Sequence, residues 1–186
     1  RDIAFVIENK LFIPEIIKER NFEKKGIDKI INDIKHKIYI PKKAKIEGGD
    51  IILYNDIIFI GYSKTSSFNN YKASRTNEKG LEFIKNSFPN KKIYGFELIK
   101  DDYDPYSNIL HLDCTMQPIG NNQLILYENG FKNKNDVEII NKIFGKNNII
   151  QINNKELYNL NTNIFSIDNK TIVSNTSFTK LNTTLE

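Results

Sequence analysis

"ILHLDCTMQPIG" (109–120) is an apolar run broken by three chemically active residues, His111, Asp113 and Cys114. Strand side chains alternate faces. Read as one strand, the stretch places His111 with Asp113 on one face, and Leu110, Leu112 and Cys114 on the other. A His and a carboxylate inside an apolar segment are costly to bury without partners. The fold must therefore bring something to meet them.

The surrounding chain repeats a supersecondary unit. "DIAFVIE" and "KLFIP" read as a hairpin turning at Glu8 and Asn9. A helical stretch follows with Ile27, Ile30, Ile31 and Ile34 at i, i+3, i+4, i+7, and then the strand "HKIYIP". The unit restarts at "DIILYND" and "IIFIGYS", with "NEKGLEFIKNSF" as helix and "KKIYGFELI" as strand. A third copy runs from "NILHLDCTMQPIG" and "QLILYENG" through the helix "NDVEIINKIFG" to "NNIIQI". Its helix carries Val137, Ile140 and Phe144 on one side, and Gly145 is its stop. The fourth is "NIFSIDN", "KTIVSN" and the helix start "TSFTKLNTTLE". The units span residues 1–41, 45–99, 107–152 and 162–186, the last truncated. The expectation is an α/β fold, one domain over 1–186, in which the first hairpin of each blade aims inner residues at a shared axis. An ordinary α+β interaction domain is the alternative if the units do not repeat.

Composition limits the function classes. The 186 residues are 39% hydrophobic and 27% charged with a net charge of +4, as in a soluble globular protein. Lys42, Lys43 and Lys45 form the densest basic cluster, without the aromatic interleaving of a nucleic-acid surface; a solvated face is expected there. One cysteine excludes an internal disulfide and a cysteine-rich zinc site. No apolar run reaches membrane-spanning length. The expected localisation is cytoplasmic, with no nucleic-acid or membrane partner.

Each of the first three units places carboxylates near the start of its first strand: Asp2, Glu47 with Asp50, and Asp113 beside His111. Gathered at about 6 Å in an effective dielectric near 20, each carboxylate pair costs roughly 3 kcal/mol. A metal is a poor offset, because Ca²⁺ and Mg²⁺ sites draw on local loops and one His with one Cys is thin for zinc. A guanidinium, planar and always charged, fits better. In "SRTN" (74–77), Arg75 is suited to pair with a substrate carboxylate, or it is a surface Arg ahead of a helix capped by Thr76 or Asn77.

These stretches carry a resemblance. "RD" (1–2) before a hairpin, "EGGD" (47–50), "SRTN" and "HLD" (111–113), in this order and each at a matching point of the repeat, resemble the guanidino-group-modifying enzymes of the pentein superfamily. These are the arginine deiminases, dimethylarginine dimethylaminohydrolases and amidinotransferases. "HLDCTMQPIG" and "NIFSIDNKTIVSN" are most similar to bacterial proteins described as amidinotransferases or arginine-deiminase-like.

The resemblance implies a five-bladed α/β propeller, here incomplete at both termini. It implies a small guanidino substrate, arginine or a relative, and no cofactor or metal. It also implies a cysteine thiolate that attacks the guanidinium carbon, with water or an amine as acceptor. Carried over, His111 is the acid–base, grouped with Glu47 and Asp113 as catalytic. Asp2 joins Glu47 and Asp113 in holding the guanidinium, and Arg75 holds the substrate carboxylate. Asp50, grouped with the substrate-binding residues, is better placed to support its loop. The side-chain ends of Asp2, Glu47, His111 and Asp113 are expected around one cavity.

The superfamily's nucleophile lies near the C-terminus, after the last blade's helix. The chain is therefore expected to be part of a longer enzyme and inactive alone, with Cys114 a buried, inert thiol turned away from His111. The alternative function is a non-catalytic pentein-fold binding module.

Overall fold

The computed structural model describes residues 2–186; Arg1, half of the "RD" motif, lies outside them. The chain forms two compact units, residues 1–95 and 96–186.

In the first unit, strands β1 (Phe5–Ile7) and β2 (Lys10–Ile13) form an antiparallel hairpin. Its two-residue turn puts Glu8 at φ 57°, the left-handed geometry that such hairpins demand. The short helices α1 (Asn21–Lys24) and α2 (Asp28–Asp33) follow. The chain then returns as β3 (Lys37–Tyr39), parallel to β2. Strands β4 (Ile51–Tyr54) and β5 (Ile57–Tyr62) repeat the hairpin, with Asn55 taking the positive φ. Helices α3 (Thr65–Asn70) and α4 (Glu78–Ser87) lead to β6 (Lys92–Glu97), which lies beside β5.

Period-two alternation sorts side chains onto the two faces of the first sheet. Phe5, Ile7 and Phe12 point into one cluster, shared with Ile46, Ile58, Ile60 and Ile84. Leu11 and Ile13 point into another, closed by Ile31 of α2. Phe5 and Phe12 are register partners and stack with ring centres 5.3 Å apart. Val6, between Phe5 and Ile7, is exposed. The helical stripe is narrower than its spacing suggests. Ile27, Ile31 and Ile34 pack, whereas Ile30, on the six-residue α2, is 62% exposed.

In the second unit, β7 (Met116–Ile119) and β8 (Gln123–Leu126) form the hairpin. Helix α5 (Lys134–Phe144) ends at Gly145, φ 80°, and β9 (Ile149–Gln151) joins parallel to β8. Leu124, Ile125 and Leu126 are fully buried, so β8 is covered on both faces. Pro118 sits in β7, an edge strand of the β7–β8–β9 sheet, where its missing N–H is tolerated. Helix α6 (Asn154–Tyr158) opens with a capping box between Asn153 and Glu156. The two-residue strands β10 (Phe165–Ser166) and β11 (Ile172–Val173) and helix α7 (Thr179–Leu185) complete it.

The strand expected from Ile109 begins only at Met116. Residues 112–114 form a single 3-10 turn, and Gly48–Asp50 form the corresponding turn before β4. In both places polar residues end the apolar alternation. Their backbone turns instead of pairing, and the ladder starts at the first uninterrupted apolar pair.

Gly80 tests the packing of α4. A Cβ there would lie 2.2 Å from the Lys45 carbonyl oxygen. Gly→Ala inside a helix ordinarily stabilises by about 1 kcal/mol. Here Gly80→Ala is expected to destabilise by roughly 1–3 kcal/mol, because backbone cannot yield as a side chain does. Thermal unfolding checks this: the melting temperature falls.

Candidate active site

The first unit assembles an acidic group around the loop before β4. Glu47 is 2% exposed and Asp50 1% exposed. One side chain serves both. Thr76 Oγ1 donates to Asp50 Oδ2 at 2.6 Å and accepts from the Glu47 amide at 3.2 Å. The Asp50 amide donates to the Glu47 carbonyl at 3.0 Å, closing the 3-10 turn. Asp2 reaches the same turn from ahead of β1: the Gly49 amide donates to its Oδ1 at 3.0 Å. Asp2 and Glu47 offer carboxylate oxygens within 4.8 Å of one another. At that spacing and an effective dielectric near 20, their repulsion is roughly 3 kcal/mol.

A guanidinium offsets it, and it belongs to the chain. Arg20 Nη1 lies 3.0 Å from Asp2 Oδ2 and 3.6 Å from Glu47 Oε2. Its Nε and Nη2 donate to the two oxygens of Glu23 at 2.7 Å each. The hydrogen bond to Glu23, and then the hydrogen bond to Asp2 and the charge of Asp2, hold the Arg20 pKa above its ordinary value against the opposing effect of burial. The same bond from Arg20 holds the Glu23 carboxyl below the usual range.

Arg75 differs from Arg20. Its Nε is buried and has no hydrogen-bond partner among the described residues. The helix behind it is capped by Asn77, whose side chain accepts from the Gly80 amide at 2.9 Å. Of the two cap candidates, Thr76 is thereby released to serve Glu47 and Asp50. Lys45 of the basic cluster pairs with Glu15.

The second unit carries His111, Asp113 and Cys114. His111 is 4% exposed with extended backbone, φ −135° and ψ 167°, and stands just before the 3-10 turn. The strand alternation expected to pair it with Asp113 and turn Cys114 away does not apply, since residues 112–114 are not extended. Cys114 is also not fully buried: it is half-buried, and its sulfur lies 3.7 Å from Asp113 Oδ1.

The structure thus groups Asp2, Glu47 and Asp50 in the first unit; His111, Asp113 and Cys114 lie in the second. Arg20 and Thr76 were not foreseen. Arg20 lies in the charged run "KERNFEKK" (18–25), indistinguishable in sequence from a solvated helix face. Thr76 was weighed only as a helix cap.

A family profile described as N,N dimethylarginine dimethylhydrolase, eukaryotic, matches residues 8–186. The chain belongs to that family. A Bacillus subtilis (strain 168) protein described as uncharacterized protein YkgA is 26% identical over 178 residues, covering 94% of this chain and 54% of that one. The chain therefore spans about half the length of this relative.

Solved structures show the fold. A cysteine-to-serine mutant of the dimethylarginine dimethylaminohydrolase DDAH from Pseudomonas aeruginosa, complexed with citrulline, superposes with TM-score 0.71 at 18% identity. The match covers 99% of this chain and 63% of that one. The N-terminal domain of ArgZ, a cyanobacterial arginine dihydrolase, in a mutant bound to substrate, gives 0.75 at 18% identity, over 98% and 64%. A mutant of AgrE in complex with L-arginine gives 0.78 at 17% identity, over 99% and 26%. The fold is the mixed α/β fold of these proteins. Among the described residues no helix is long and apolar enough to cross a membrane.

The Thr76 hydroxyl is separable from its methyl. Thr76→Val is expected to lower stability by about 2 kcal/mol, since it removes a donor from a buried carboxylate. Thr76→Ser is expected to stay near wild type. Urea unfolding of the two variants checks the difference.

Proposed function

We propose that this chain supplies the guanidinium-binding and acid–base residues of a guanidino hydrolase acting on arginine or a methylated arginine. The observation that carries the reading is the acidic group itself: Asp2 and Glu47 already contact a planar cation of the substrate's chemical kind, the Arg20 guanidinium. The buried Nε of Arg75, without a hydrogen-bond partner among the described residues, supports a second contact, to the substrate's carboxylate. Membership of a hydrolase family favours water over an amine as acceptor. The pentein propeller arrangement of the repeated units is part of this reading.

In the proposed route a cysteine thiolate attacks the guanidinium carbon. His111 gives a proton to the departing amine, then takes one from the water that releases the covalent adduct. Glu47, with Asp2 and Asp113, holds the guanidinium nitrogens and keeps the carbon electrophilic, while Asp50 holds Glu47's loop through Thr76. Cys114 is assigned no nucleophilic part, because its sulfur sits against Asp113. The chain alone is then expected to bind a guanidino compound without turning it over. A non-catalytic binding module would have no use for a buried His111.

The intact protein, assayed for citrulline release from arginine and from dimethylarginine, tests the reading. Glu47→Gln is expected to lose about 100-fold or more in kcat/KM, whereas Cys114→Ser retains turnover. A Glu47→Gln protein with wild-type turnover, or a folded but inactive Cys114→Ser protein, would overturn the assignment.

A further inference from the structure

The segment ahead of His111 belongs to no strand, so no ladder satisfies its carbonyls. Lys100, only 6% exposed, serves them instead: its Nζ donates to the Ile109 oxygen at 2.6 Å and to the Leu110 oxygen at 2.7 Å. An ammonium carries three donors and no acceptor, and two of the three close on consecutive carbonyls immediately before the imidazole. The Ile109 amide returns to the Ile99 carbonyl at 3.1 Å, and the Asp101 amide meets the Asn108 side chain at 3.3 Å. Together these bonds staple the base of the exposed loop 101–108. On its far side His111 is fixed by the 3-10 turn, where the Cys114 amide donates to the His111 carbonyl at 3.2 Å. Farther out, Tyr103 is 95% exposed, while Tyr106 stacks on Tyr158 with ring centres 4.1 Å apart and its carbonyl accepts from the Asn154 side chain at 2.7 Å.

Two charge-assisted hydrogen bonds on consecutive carbonyls hold the backbone before residue 111 more firmly than bonds to solvent would. We propose that Lys100 is the positioning residue for His111, fixing the imidazole's place by clamping the two peptide groups before it. The catalytic part of this claim rests on the functional reading above; the positional part does not.

The test has two arms. The chain holds two histidines, and the other, His36, is exposed and in the first unit. Side-chain ¹H–¹⁵N spectra of the chain therefore resolve them. Lys100→Met is expected to shift or multiply the His111 signals and leave His36 unchanged, while the core variant Ile140→Val changes neither. Should Lys100→Met fail to fold, Lys100→Gln, shorter but polar, is expected to give the same His111-specific change. In the intact protein, Lys100→Met is expected to lower kcat about 10- to 100-fold with KM within about twofold, as for a misplaced catalytic group. A folded Lys100 variant with wild-type His111 signals overturns the positional claim. A loss that falls on KM overturns the catalytic one. Absence of guanidino turnover in the wild-type intact protein defeats the functional reading, and the spectra still decide the positional claim.

Discussion

Two carboxylates with almost no exposed surface, Glu47 and Asp50, set the terms for the first unit. Buried charges persist only where hydrogen bonds and opposite charge replace water. The 3-10 turn at Gly48–Asp50 aims them to different partners, Asp50 to the Thr76 hydroxyl and Glu47 toward Arg20. Thr76 can reach only because Asn77 takes over the cap of α4 and because Gly80 lets that helix lie against the Lys45 carbonyl. Helix position, cap choice and turn geometry thus converge on keeping two negative charges dry.

Arg20 contributes one positive charge to Asp2, Glu47 and Glu23, and its closest contacts are the two oxygens of Glu23, at 2.7 Å. Arg20 and Glu23 are each about one-third exposed, so that ion pair adds little stability. Glu47, at 3.6 Å, is the partner least engaged by Arg20. On the proposed reading a substrate guanidinium joins this arrangement, its donors planar, fixed in direction and charged at every working pH.

The hairpins were legible because β-branched and aromatic alternation, Asn and Glu turns and the Gly145 stop each act locally. The motif positions were legible because acidic residues interrupt that alternation at equivalent places. The turn at Leu112–Cys114 was misread as strand, because neighbouring apolar residues such as Ile109 and Leu110 look alike whether they pair in a ladder or flank a turn; the glycine pair before Asp50 announced its own turn. Arg20, Thr76 and Lys100 escaped notice because their partners are distant in sequence. Arg20 bonds Asp2 eighteen residues away and Thr76 bonds Asp50 twenty-six away. Lys100 bonds backbone, which no side-chain pattern announces.

The central claim is that the acidic group of the first unit receives a guanidinium. A crystal structure of the intact protein with L-arginine tests it most directly. The account places the ligand's guanidinium nitrogens within hydrogen-bond distance of Asp2 and Glu47, with its carboxylate against Arg75. Arginine bound elsewhere, with Arg20 still seated between Asp2 and Glu47, would contradict it.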